Sequence, residues 1–251
     1  MQELIEKAYA YVEQTLAENL TRHETVISKT KRYIRYDRFY HICRVTAWAN
    51  RIADELCGNN ADSNVNAISI ADELCGNNAE RNELCGNNAE GNVNVIDRDC
   101  LHLASVLHDV GYNAYHISMD HSEAGVVLAE EFLNKEGVNE ELKEKILNLI
   151  RLHSRKDLMF LEDTPLELVV LMEADLMDDM GATGLVMDAW INTRMNQEET
   201  SFDTIYEHIQ KYTQAQQREE PMRTEPAKRF WREKQELVEE FMRQFARDLN
   251  K

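Results

Sequence analysis

L-H-L-A-S-V-L-H-D-V-G-Y, residues 101–112, is an apolar helical run that closes on an adjacent imidazole and carboxylate, His108 and Asp109. Burying both groups at a helix end is costly unless a metal ion or another partner sits against them. Successive residues on a helix point about 100° apart. The pair can reach one ion only where the helix stops, and Val110-Gly111 directly after it predicts that stop, glycine being common just past a helix C-terminus. Taken alone, His108 also suits a bare helix C-terminus, whose partial negative charge favours an imidazole. Any further ligands must come from other helices that face inward, as in metal-bearing helical bundles.

Two further residues of the same types stand in order along the chain. His41 lies in F-Y-H-I-C-R-V, and Asp175 in M-E-A-D-L-M-D-D-M-G-A-T-G, which completes the series H…HD…D. With these residues the chain resembles the HD-domain superfamily of metal-dependent phosphohydrolases, in particular small bacterial members with an additional C-terminal helical segment. Four pieces carry the resemblance: H-x-x-R-V (His41, Arg44, Val45), L-H-D-V (His108, Asp109), I-x-x-H-S (His153) and E-A-D-L-M-D-x-x-G (Asp175, Asp178, Gly181). It extends from about residue 20 to the end, and M-R-T-E-P-A-K-R-F-W-R-E-K-Q-E-L-V-E-E-F-M near the C-terminus is also similar to that group.

The resemblance implies an all-α HD-domain helical bundle with flanking N- and C-terminal helices. It implies that His41, His108, Asp109 and Asp175 hold a metal, with Asp109 and His108 at the catalytic centre. His121 and His153 fall where two-metal members place ligands of a second ion, so one or two ions are expected, bridged by Asp109. A set of histidines and carboxylates suits Mn, Fe, Co, Ni or Zn, with Mg compatible, and is too rich in nitrogen for Ca. The implied substrate is a nucleotide or another small phosphorylated metabolite. Arg38 and Arg44 lie three residues to either side of His41, near its helical face. Arg44 and Lys156 are the expected contacts to substrate phosphate, since guanidinium binds phosphate oxygens through paired hydrogen bonds. The same ligand types also serve HD-fold di-iron oxygenases and non-catalytic metal-binding HD modules.

Composition narrows the partners. The 251 residues suit a single HD domain spanning 1–251 and carry a formal net charge of -18, which disfavours nucleic acid and anionic membranes. Oligomeric state is not legible. No apolar run is long enough to span a bilayer, and the N-terminus lacks a basic region followed by an apolar stretch. The five cysteines contain no C-x-x-C, so reduced thiols and a cytoplasmic location are expected. Cys43 lies two residues from His41 on a different helix face, which argues against a Cys–His nucleophile.

Helical spacing predicts helices over 2–20, 36–56, 97–109, 118–136 capped by Ser118 and stopped at Gly137, and 139–153. Another is predicted from a Thr164 cap and Pro165 to 178, followed by 181–195, 202–215 and 226–249. Residues 200–251 read as a C-terminal helical extension. His102, about 240° around its helix from His108, faces elsewhere. Of the remaining histidines, His23 and His208 carry no assigned role, while His116 is close enough to the pair to line a site mouth. Residues 53–95 form a repeat-containing insertion between helices. A-D-E-L-C-G-N-N-A occurs at 53–61 and 71–79, and E-L-C-G-N-N-A-E returns at 83–90. Unequal offsets exclude a solenoid of fixed period and leave two readings, a duplication within one inter-helix loop and a regulatory or binding insert.

Removing residues 55–82 keeps one copy of the repeat and cuts the His41–His108 separation from 67 to 39 residues. On continuous helices, Cys57 would lie about 24 Å and Asp97 about 16 Å from their respective ligands. Loop-closure entropy grows only logarithmically with length, so the insertion has little effect on folding. The shortened chain is expected to fold, bind metal and turn over substrate at near-parental rates, as circular dichroism, metal analysis and kcat will report.

Overall fold

The computed structural model describes residues 1–21, 32–58, 96–112, 114, 119–195, 199–216 and 220–251, and every regular element among them is helical. His23, His116, Ser118 and the repeats from residue 59 to 95 lie outside the described residues. Two compact units divide the chain, Met1–Met172 and Glu173–Lys251. No described helix is long and apolar enough to cross a membrane.

The first unit holds α1 (Gln2–Thr21), α2 (Arg32–Leu56), α3 (Arg98–Leu107), α4 (His121–Lys135), α5 (Glu140–Leu152), a 3-10 turn at Lys156–Phe160 and the start of α6 (Leu166–Asp178). Its centre is α3, which packs against α1, α2 and α5. Seven residues of this short helix, Cys100, Leu101 and Leu103 to Leu107, are buried. A fully buried Leu or Val contributes roughly 1.5–3 kcal/mol, so α3 anchors the unit despite its length. Its N-terminal end is fixed by three contacts. The Asp97 side chain caps the backbone N–H of Cys100, its own N–H donates to Glu167 at 2.7 Å, and Arg98 pairs with Asp54 on α2 at 2.6 Å.

The α4–α5 hairpin is closed by Gly137 at φ +70, with Val138 N–H donating to Leu133 O and Gly137 N–H to Asn134 O. That double bond pattern satisfies the last carbonyls of α4, as the predicted stop requires. The N-terminal cap of α4 is Asp120, whose carboxylate accepts from Ser122 and Glu123 N–H. Thr164 does not cap α6 as expected. Its hydroxyl donates to Leu158 O, and the carbonyl of Pro165 accepts the first helical bond, from Val169.

The second unit comprises the end of α6, then α7 (Ala182–Met195), α8 (Phe202–Lys211), the single turn α9 (Thr213–Gln216) and α10 (Glu225–Asp248). Leu185, Ile209, Val238 and Met242 form its apolar centre. The helix predicted over 202–215 breaks at Tyr212, because buried Asp188 takes both the N–H and the hydroxyl of Thr213, at 3.0 and 2.6 Å. Thr224 caps α10 as T-E-P predicts, while Glu173 accepts from the N–H of Arg223 and from both the N–H and hydroxyl of Thr224.

His102 faces Tyr9 and Asn50, away from the HD pair. Burial lowers its pKa to about 4, with the Arg98 charge adding to the effect. The unfolded chain binds that proton near pH 6.5, so between pH 6.5 and about 4 it holds more protons than the folded protein. Stability therefore falls as pH drops through that window. His102→Gln is expected to remove on the order of 2 kcal/mol of this acid destabilisation, read as the difference in urea midpoints between pH 7 and pH 4.5.

Candidate metal centre

His108 and His153 use one local device. Each follows the last residue of its helix, as the C-terminal cap of α3 and α5 respectively. Each ring turns back so that Nδ1 meets a carbonyl three residues earlier, Ser105 O at 2.7 Å and Ile150 O at 2.6 Å. Carbonyls at a helix end lack backbone partners and can only accept, so Nδ1 carries the proton in both rings. In the neutral ring Nε2 then keeps its lone pair, the form that ligates metal.

Those Nε2 atoms converge on Asp109. Oδ2 lies 3.7 Å from Nε2 of His41 and 3.7 Å from Nε2 of His108. Oδ1 lies 3.8 Å from Nε2 of His121 and 3.5 Å from Nε2 of His153. Each oxygen thus faces two imidazoles. One ligand atom from each of His108, Asp109 and His153 lies within 4.8 Å of the others, a grouping able to hold a metal ion. Nitrogen and carboxylate donors at this density fit a divalent transition metal.

Asp109 is ionised in this setting. Burial pushes its pKa up, but His108 in its doubly protonated form, a hydrogen bond from His153 in that form, the Arg38 guanidinium and a charged His41 outweigh it and hold the carboxyl well below the usual range; beside neutral rings it is the Arg38 guanidinium that acts this way. His121 is pushed down chiefly by burial, against the pull of Asp109, with His153 and Arg38 adding to the lowering. By contrast burial raises the Cys43 thiol to about 11, which disfavours a thiolate nucleophile.

Four helices deliver these groups: α2 brings His41, α3 the pair, α4 His121 and α5 His153. The approach of α4 depends on Gly111. Its φ is not left-handed, so it does not end α3 in the predicted glycine-cap manner. What the position requires is space. A Cβ there would lie 2.2 Å from Gly125 N and 2.3 Å from His121 O. Gly125, opposite it in the middle of α4, is the second half of that contact.

Of the other expected residues, Asp175 is half-buried on α6 in the second unit. Lys156 is half-buried and donates to Met172 O at 3.3 Å. Arg44 is half-buried on α2 and lowers the Cys43 thiol electrostatically, against burial. The arginine brought to Asp109 is instead Arg38, at 2.6 Å from Oδ2 and 3.8 Å over the Tyr112 ring. Sequence reasoning singled out Arg38 beside His41 but gave no role to Ser154. Its hydroxyl lies 3.0 Å from Nε2 of His121, 3.2 Å from Nε2 of His153 and 2.9 Å from Ser122 Oγ. The H-S dipeptide at 153–154 was the available signal.

The HD domain family model matches residues 38–180. No curated protein matches the chain. Among solved structures it is similar to that of Bacillus subtilis YpgQ, at 16% identity and TM-score 0.52, covering 94% of this chain and 95% of that one. The same protein in complex with ADP aligns at 16% identity and TM-score 0.55, covering 98% and 96%. These likenesses bear out the all-α HD fold.

Gly111→Ala is expected to destabilise the protein by about 3 kcal/mol, because only backbone atoms are available to move. Gly125→Ala should be milder, since its Cβ would meet the Ile150 side chain at 3.3 Å and His108 O at 3.4 Å. Thermal denaturation of both variants checks the order.

Proposed function

Because the chain belongs to the HD domain family, we propose that it is a metal-dependent phosphohydrolase acting on a nucleotide or another small phosphorylated metabolite. The observation that carries this reading is the facing of two imidazole Nε2 atoms to each oxygen of Asp109. His41, His108, Asp109 and Asp175 would hold the first ion, Asp175 by its place in the H…HD…D order. His121 and His153 would serve a second on the Oδ1 side. When bound, the metal lowers the pKa of a water and polarises a phosphoryl oxygen.

The chain's own groups supply the rest. Backbone carbonyls fix the His108 and His153 rings, so their lone pairs need no reorganisation. Asp109, kept ionised, offers one oxygen to each half of the centre. Arg38, Arg44 and Lys156 would neutralise substrate phosphate. The ADP complex of YpgQ makes a nucleoside diphosphate the first substrate to try.

The test assays phosphate release from nucleoside mono-, di- and triphosphates with Mn, Co, Ni and Mg, before and after chelator treatment. Activity should vanish on chelation and return with metal. Asp109→Ala should abolish turnover and reduce bound metal, since a ligand and its charge are lost together. Full activity with metal retained in that variant would sink the assignment. Two bound irons with oxygen-dependent turnover would replace it with an oxygenase.

A further inference from the structure

The Oδ2 side of Asp109 is shared by three groups. His41 and His108 present Nε2 at 3.7 Å each, and Arg38 places Nη1 at 2.6 Å from the same oxygen. The two imidazoles are nearly enclosed, with side-chain exposures of 7% and 0%, whereas the Arg38 side chain is 26% exposed. Its guanidinium is also stacked 3.8 Å over Tyr112, three residues beyond Asp109. A guanidinium keeps its charge throughout the accessible pH range. It is therefore a fixed cation on an oxygen that an ion held by His41 and His108 would need. Two cations at one carboxylate oxygen repel each other, and the low dielectric of the surroundings strengthens that repulsion.

We propose that Arg38 is a competing counter-ion of the centre: it holds Asp109 Oδ2 until a divalent ion takes that oxygen, and the displaced guanidinium then binds substrate phosphate. The proposal rests on the phosphohydrolase reading above and adds a regulated step to it. Competition lowers the affinity for the ion by the strength of the pair. The stack on Tyr112 keeps the released group beside the centre. Partial exposure lets the guanidinium move without stranding a buried charge. Its planar fork suits two phosphate oxygens at once, which a lysine would not reproduce. Ion and phosphate should therefore bind in that order, the first freeing the site for the second.

The two roles have opposite signs in one variant. Parent and Arg38→Gln are stripped with a chelator and titrated calorimetrically with Mn alone. The Mn-loaded proteins are then titrated with inorganic phosphate. In Arg38→Gln the Kd for Mn should fall by about tenfold, the pair no longer opposing the ion. The Kd for phosphate should rise by about fivefold as the fork is lost. The stripped variant should also melt below the stripped parent, with the gap closing once Mn is added. If Arg38→Gln does not fold, Tyr112→Leu loosens the guanidinium without changing charge and should tighten Mn by about threefold. Mn affinity that is unchanged or weaker overturns the proposal and leaves Arg38 as an orienting partner of Asp109. So does unchanged phosphate binding in Arg38→Gln. A parental protein that takes up no Mn, Co, Ni or Mg fails before any variant is compared, and that result sinks the metal reading itself.

Discussion

A carboxylate buried as completely as that of Asp109 destabilises a fold unless donors or cations surround it, and several elements of the first unit end where they do to provide them. Helix α3 stops at Leu107 so that His108 and Asp109 can turn to one place. α5 stops at Leu152 so that His153 can reach the same carboxylate from the other side. α4 begins at His121, against Gly111, and α2 carries Arg38 and His41 one turn apart. Extending or shortening α3 or α5 by a residue would rotate the imidazole at its end by about 100° and leave the charge under-compensated.

The imidazoles show how local backbone chemistry sets a chemical state. A helix end leaves carbonyls without partners, and here two of them are met by ring Nδ1 atoms rather than by water. The same bond fixes ring orientation and tautomer. The capping that ends α3 and α5 thereby fixes two imidazole lone pairs, so stability and ring geometry cannot be altered independently at His108 or His153.

Much of this was legible in the sequence, for physical reasons. Helical periodicity is a local property, so α1, α2, α5, α7 and α10 lie close to where apolar spacing puts them, and Gly137 and T-E-P mark ends by turn and cap chemistry. The order of His41, His108, Asp109 and Asp175 identified the family. Long-range packing was not legible. Gly111 looked like a helix stop, but its lack of a Cβ answers to α4, and Gly125 gave no sign of its role because its neighbour is distant in sequence. Arg38 and Arg44 are symmetric about His41 on a helical wheel, and only the tertiary position of Tyr112 and Asp109 distinguishes them. The Tyr212 break required knowing that Asp188 would be buried beside Thr213.

The centre is also asymmetric in a way that bears on access. On the Oδ2 side both imidazoles are enclosed, while on the Oδ1 side the His121 side chain is 40% exposed and its neighbour Ser154 faces solvent. Water and small solutes therefore meet the Oδ1 side more readily. Ser154 stands there between His121 and His153 with a single proton to donate, so its hydroxyl can serve only one of the neighbouring acceptors at a time. A hydroxyl is neutral and rotates, whereas Arg38 places a fixed charge on Oδ2 itself. The two sides of Asp109 thus differ in their neighbours, a fixed charge on Oδ2 and, beside the imidazoles that face Oδ1, a rotatable dipole, although each oxygen faces two imidazole nitrogens.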